Sequence, residues 1–250
     1  MLGGGGMFGA YQAGVWQALE GRFPFDLIAG ASIGALNGWA IAGGCPARTW
    51  AEQWLNPEPG SLGVFRYPRG LRPGAGGRGA FEALVRRVHG SFQPRVPFCV
   101  ALTDLLRLTP YAVCTPDVEW VHLAASCAVP LLLPQYRVDG RWTTDGGLLG
   151  SVPLWAATRQ GATRIVAVNI LPRGGPFWLR AARAGIRLAG HPGEDPPAGA
   201  AVVWIEHPRP LGAMREMLAW SPESARRLVE LGRREAEAAL PAVESLFRTF

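Results

Sequence analysis

The stretch Phe25-Asp26-Leu27-Ile28-Ala29-Gly30-Ala31-Ser32-Ile33-Gly34 decides the reading of this chain. Its apolar first half predicts a strand over 25–29, and Gly30-Ala31-Ser32-Ile33-Gly34 then has the form of a nucleophile elbow. A serine between two glycines on a sharp strand-to-helix turn projects its hydroxyl clear of the backbone, because residues without a Cβ let neighbouring chains approach closely. Ile33 to Ala42 reads as a small-residue helix that stops at Gly43-Gly44, with Pro46 just beyond. In a chain with 33 glycines such a string also arises by chance, so the weight falls on two further stretches. These are Gly3-Gly4-Gly5-Gly6-Met7-Phe8-Gly9 upstream and Asp145-Gly146-Gly147 downstream.

The 250 residues, 48% of them hydrophobic, can bury a large core, and one α/β domain over 1–250 is expected. No segment reaches about 18 consecutive apolar residues, and no basic flank with an apolar run opens the chain, so membrane spanning and secretion are disfavoured. Cys45, Cys99, Cys114 and Cys127 lie far apart without a C-x-x-C pair. They are expected to be reduced structural thiols of a cytosolic protein, with neither a disulfide frame nor a zinc site.

All 25 basic residues are arginine and the formal charge is +6. Arg66, Arg69, Arg72, Arg78, Arg86, Arg87 and Arg95 cluster in one third of the chain, where anionic headgroups or nucleic acid could be attracted. No nucleic-acid-binding motif accompanies them, so a solvated surface is favoured and no nucleic-acid partner is expected.

Residues 7 to 20 carry Tyr11, Val15, Ala18 and Leu19 at helical spacing after the glycine loop. Residues 56–80, rich in proline and glycine, read as a long irregular segment, a lid or a surface excursion. The short apolar runs at 98–102, 165–168 and 201–205 fit strands buried on both faces, the mark of a largely parallel sheet between helices. Around 176–189, Arg180, Arg183 and Arg187 alternate with Trp178, Leu179 and Ile186, an amphipathic helix suited to its own core or to a membrane surface. Ser221-Pro222-Glu223 opens a last helix running to about Leu240, within a helical part over 210–250.

A serine hydrolase needs a nucleophile, a base and donors for the oxyanion. Ser32 supplies the first. Consecutive glycines leading into a helix present backbone N–H groups to one point, and Gly4, Gly5, Gly6 and Gly9 stand ready to do so. Gly4-x-Gly6-x-x-Gly9 also satisfies a dinucleotide fingerprint, but the acidic residue that this would need, Asp26, falls at the start of the elbow strand. The candidate bases are His191 or His207, which close a Ser-acid-His order, and Asp145, whose two following glycines allow close approach. An elbow about 30 residues into the chain is early for an α/β-hydrolase with a histidine triad.

The ordered set Gly4-Gly5-Gly6-Met7-Phe8-Gly9, Gly30-Ala31-Ser32-Ile33-Gly34 and Asp145-Gly146-Gly147 resembles the patatin-like phospholipase family. The resemblance extends through Ala124-Ala125-Ser126-Cys127-Ala128-Val129-Pro130, Val138-Asp139-Gly140-Arg141-Trp142 and Val152-Pro153-Leu154, and covers about residues 2–170. It implies a three-layer α/β/α domain that hydrolyses lipid acyl esters with a Ser-Asp dyad and without metal or cofactor. Ser32 would be the nucleophile and Asp145 the base, with Gly4, Gly5, Gly6 and Gly9 at the oxyanion hole. The implied partners are a lipid acyl ester and, peripherally, the membrane that holds it. A non-catalytic lipid-binding module of the same fold is the second reading and an esterase with a histidine triad the third.

Two departures from the family pattern stand out. Phe8 occupies a position where the family commonly has Arg or Lys, which removes a positive charge beside the loop. Only Met1 and Leu2 precede the glycines, where the family has a full strand. The expectation is either a recorded start downstream of the true one or a shortened paralogue of impaired activity.

Overall fold

A computed structural model describes residues 1–58, 77–130, 132–171 and 199–248. A 3₁₀ turn at Gly6–Phe8 leads into α1 (Gly9–Leu19), so the helix expected from residue 7 begins two residues later. The strand β1 is Ile28–Gly30, shorter than the expected 25–29. Phe25 leaves the sheet because its ring packs against Phe247 and Trp16, with centroids 5.8 and 6.3 Å away. The helix α2 spans Ile33–Ala42 as expected, followed by α3 (Ala47–Leu55) and α4 (Gly77–Ser91). Then come β2 (Phe98–Asp104), β3 (Thr109–Cys114), α5 (Trp120–Ser126), β4 (Tyr136–Val138) and β5 (Arg141–Thr144). Next are α6 (Leu154–Thr158), β6 (Arg164–Asn169), β7 (Ala201–Glu206) and α7 (Met214–Leu218). The last helix, α8 (Pro222–Arg248), continues through Pro241 beyond the expected end at Leu240.

The expected parallel pairing holds for β1 with β2 and for β6 with β7, whereas β3 and β5 pair antiparallel with β2, and β4 with β5. The sheet is therefore mixed. Leu2 bridges its two parts, pairing with Gly30 on one side and Val168 on the other. Alternate strand residues face opposite layers. Ile28, Val100, Leu102, Val166 and Val168 join the large core shared with α1 to α5 and α8. Ala29, Cys99, Ile165 and Ala167 face the smaller layer of Leu154 and Ala157 on α6. Helices thus cover both faces, in three layers.

The register of β2 creates the key geometry. With β3 along one edge from Cys99 to Asp104, the other edge is shared: β1 pairs with Phe98 to Val100 and β5 with Thr103 and Asp104. A parallel strand arrives from one end and an antiparallel one from the other. Their ends meet opposite Ala101 and Leu102.

Cys99 and Cys114 form a disulfide, which corrects the expectation of four reduced thiols; Cys45 and Cys127 are free and buried. The two half-cystines are directly opposed on β2 and β3, a proximity created by the hairpin register and invisible in their spacing. The amphipathic stretch at 176–189 and Arg66, Arg69 and Arg72 lie outside the described residues, as does most of the irregular segment, whose last residues open α4. Arg86 stacks over the Trp120 ring at 3.5 Å and Arg87 pairs with Glu58 at 3.3 Å. No described helix is long and apolar enough to cross a membrane.

Candidate active site

Where β1 ends, Ser32 turns the chain into α2 with φ +53° and ψ −129°. A positive φ on a residue other than glycine costs of order 1–3 kcal/mol and persists only where the surroundings over-determine it. They do so here. Ser32 N–H donates to Ser126 Oγ at 2.9 Å, Ala31 N–H to Leu2 C=O at 3.1 Å, and Ala35 N–H to Ser32 C=O at 2.8 Å. Gly34 lets the glycine loop pass over the helix start, since a Cβ there would lie 2.5 Å from Leu2 O and 2.6 Å from Gly3 O. Gly30 packs against the Gly34 carbonyl.

Asp145 leaves β5 toward the same point. Its N–H donates to Ala128 C=O at 3.2 Å and its carbonyl accepts from Thr103 Oγ1 at 3.0 Å. Gly147 N–H donates to Oδ1 at 2.7 Å, whereas Oδ2 is buried without a hydrogen-bond partner among the described residues. Burial pushes the Asp145 carboxyl up from 3.8 to about 6, against hydrogen bonding from the Ser32 hydroxyl and Gly147 N–H. The hydroxyl stands near enough to stabilise the carboxylate yet closes no bond of ordinary length onto Oδ2. Ser32 and Asp145 are both buried, each residue keeping 7% of its surface exposed.

The glycine loop sits over this pair. An added Cβ on Gly4 would lie 3.0 Å from Ser32 Cβ, so the loop backbone rests directly on the serine. Gly4 was expected to donate to an oxyanion, but its N–H is engaged by Ser151 C=O at 2.8 Å, because the residue continues the Leu2 bridge. Gly9 N–H is likewise taken, by the carbonyls of Gly6 and Met7. Among the described residues no hydrogen bond engages the N–H of Gly5 or Gly6. Phe8 is buried in the main core at 3% exposure, so it does not line an entrance.

Several residues at the site have no role assigned to them by the sequence motifs, although Ser126 and Cys127 lie in a stretch that carries the family resemblance. Ser126, fully buried on α5, accepts from the Ser32 N–H and donates to Ala101 C=O at 2.8 Å, while its backbone carbonyl receives Gly146 N–H at 3.1 Å. It ties the elbow, β2 and the aspartate segment together. Gly146 fits there because a Cβ would run into Ala101 O and lie 3.0 Å from Ser126 Oγ. Gln12 Nε2 holds Gly3 C=O at 2.7 Å, and Asn37 Nδ2 reaches Gln12 Oε1 at 2.7 Å and Gly9 C=O at 3.0 Å. Trp50 and Trp54 donate to Asn37 Oδ1 at 2.9 and 3.2 Å, so one buried amide anchors both ends of the loop. The Cys127 thiol is pushed well up by burial and by the Asp145 charge, which keeps it protonated beside Ser32.

The described histidines point elsewhere. His207 Nδ1 pairs with Glu235 Oε1 at 2.5 Å, His122 meets Asp139 at 3.4 Å, and His89 stacks on Trp39 at 4.7 Å. His191 lies outside the described residues. Two clefts border the Leu27 end of β1, and neither is lined by Ser32 or Asp145.

A model of the patatin-like phospholipase family matches residues 1–158. The chain belongs to that family. It is 28% identical over 182 residues to a lysophospholipase NTE1 from Mycosarcoma maydis, a match covering 68% of this chain and 9% of that protein. An uncharacterized NTE family protein from Mycobacterium bovis is 29% identical over 181 residues, covering 68% of this chain and 48% of the relative. The chain thus spans less than half the length of either relative. The crystal structure of VipD from Legionella pneumophila shares the fold, with a TM-score of 0.54 at 14% identity over 96% of this chain and 66% of that one.

Proposed function

We propose that this patatin-like chain is a lipid acyl hydrolase, working through a Ser32-Asp145 dyad as one domain over 1–250. The observation that carries the proposal is the buried Asp145 carboxylate beside the strained Ser32, with an Oδ2 that has no hydrogen-bond partner among the described residues. In the first step Asp145 accepts the Ser32 hydroxyl proton as the serine oxygen attacks the ester carbonyl. The N–H groups of Gly5 and Gly6, at the start of the turn into α1, are the donors for the developing oxyanion. Collapse expels the alcohol, which takes the proton back from Asp145, and leaves an acyl-serine. Water then attacks with Asp145 again as base, freeing the fatty acid and Ser32. This scheme uses no metal or cofactor.

The test is labelling with a fluorophosphonate probe beside hydrolysis of a panel of phospholipids, lysophospholipids and a soluble short-chain ester. Expected are labelling of Ser32, loss of both labelling and turnover in Ser32→Ala, and loss of turnover in Asp145→Asn with His207→Ala unaffected. An unlabelled Ser32 with no turnover overturns the proposal in favour of a non-catalytic lipid-binding module. Loss of turnover in His207→Ala overturns the dyad.

A further inference from the structure

We propose that the β2–β3 turn and the adjoining start of β5 form the surface by which this protein docks on an anionic lipid bilayer. The inference rests on the lipid-hydrolase reading and adds the partner and the face. Beyond Asp104, β2 runs into the turn of Leu105 to Leu108, and Leu105 N–H donates to Trp142 C=O at 2.7 Å. The turn and the first residues of β5 therefore project together. The Ser32-Asp145 pair is level with Ala101 and Leu102, so at about 3.3 Å per residue the tips stand roughly 10 Å further out along the same strand direction.

Among the described residues five large apolar side chains are exposed, and three of them are here: Leu106 at 76%, Leu108 at 43% and Trp142 at 46%. Concentration at one end of the sheet separates them from ordinary scattered surface apolars. The turn is also prepared for a water-poor environment. Asp104 Oδ1, buried beneath it, accepts the N–H groups of both Leu106 and Arg107 at 3.0 Å, so these amides need no water. Leu108 has φ +50°, where glycine or asparagine would be least strained, yet the chain keeps an exposed leucine.

Charge selects the occupant. Around the apolar tips stand the exposed Arg107, Arg137 and Arg141, against Asp139 as the exposed carboxylate of the same strands and turns. Arginine can place its stem along the acyl boundary and its guanidinium among phosphates. Two narrow protruding tips offer little of the roughly 800 Å² per partner that a stable protein interface needs, whereas a bilayer accepts protruding leucines and tryptophan.

The test is co-sedimentation of Ser32→Ala protein, which leaves lipid intact, with vesicles of phosphatidylcholine alone or mixed equally with phosphatidylglycerol. Leu106→Asp combined with Trp142→Asp should weaken partitioning into the mixed vesicles at least about tenfold. Arg107→Glu and Arg141→Glu should each weaken it about fivefold at low salt, with little change on neutral vesicles. In a wild-type Ser32 background the same tip variants should hydrolyse a soluble short-chain ester normally, so failure of that ester assay in the parent protein tests the hydrolase reading separately. Leu106→Cys carrying an environment-sensitive fluorophore should blue-shift on the mixed vesicles. Unchanged partitioning in the tip variants or absence of the blue shift would each overturn the proposal.

Discussion

Replacing Asp145 with asparagine should make the protein more stable at alkaline pH while abolishing turnover. The carboxyl titrates near 3.8 in the unfolded chain and at about 6 in the folded one, because burial disfavours its charged form. Between these values the unfolded chain has released the proton that the folded chain still holds, so stability falls as pH rises through the window. The accumulated cost is ~1 kcal/mol at pH 4.5 and reaches ~3 kcal/mol at pH 8. Asparagine keeps the oxygen that accepts from Gly147 N–H and never ionises. The stability of Asp145→Asn relative to wild type should therefore improve by ~2 kcal/mol between pH 4.5 and 8, whatever constant offset the amide brings. Urea unfolding followed by tryptophan fluorescence at several pH values measures this difference, in which other titrating groups cancel. A difference that stays flat with pH, or that moves the other way, would refute the assignment of a buried, uncompensated carboxyl at this position.

The same shift predicts that wild-type turnover of a soluble ester rises as pH increases through about 6, since the base must be ionised, and a rate independent of pH from 4.5 to 8 would contradict it. Ser126→Ala removes the acceptor for the Ser32 N–H, which should cost about 1–3 kcal/mol in thermal or urea unfolding and lower kcat more than it raises KM, with Ser126→Thr recovering part of both. Gly34→Ala, whose Cβ would meet Leu2 O and Gly3 O, should displace the glycine loop, costing about 1–3 kcal/mol and most of the turnover; an unchanged melt and kcat would show that the loop has room to spare. Thiol titration in guanidinium should find two reactive thiols, Cys45 and Cys127, without reductant and four after reduction; four before reduction would remove the Cys99–Cys114 bond.

Local signals carried the elements that chemistry depends on. The small-residue run from Ile33 to Ala42, bounded by Ser32 and Gly43, fixes α2 because its helical limits are written in adjacent residues. Gly30, Ser32, Gly34 and Asp145-Gly146-Gly147 were legible as motifs because close backbone approach needs glycine at fixed spacing. Phe25 shows the limit of such reading: an apolar run predicts a strand there, but an edge-to-face contact with Phe247, more than two hundred residues away, draws the ring out of the sheet. The disulfide is hidden for the same reason, since hairpin register and not spacing opposes Cys99 to Cys114.

By itself the sequence determined that a serine would emerge from a tight strand-to-helix turn near a glycine loop, and that Asp145, followed by two glycines, could approach closely. What tertiary structure alone decided is that these two side chains meet. They do so because β1 and β5 occupy successive halves of one edge of β2, from opposite directions, leaving Ser32 and Asp145 at the junction. Which glycine amides remain unpaired also follows from tertiary packing, for Ser151 C=O takes the Gly4 N–H just beyond the Leu2 bridge, and those of Gly5 and Gly6 have no partner among the described residues. Pairing across a sheet depends on contacts far apart in the chain, and neither composition nor local spacing encodes which edge a strand will take.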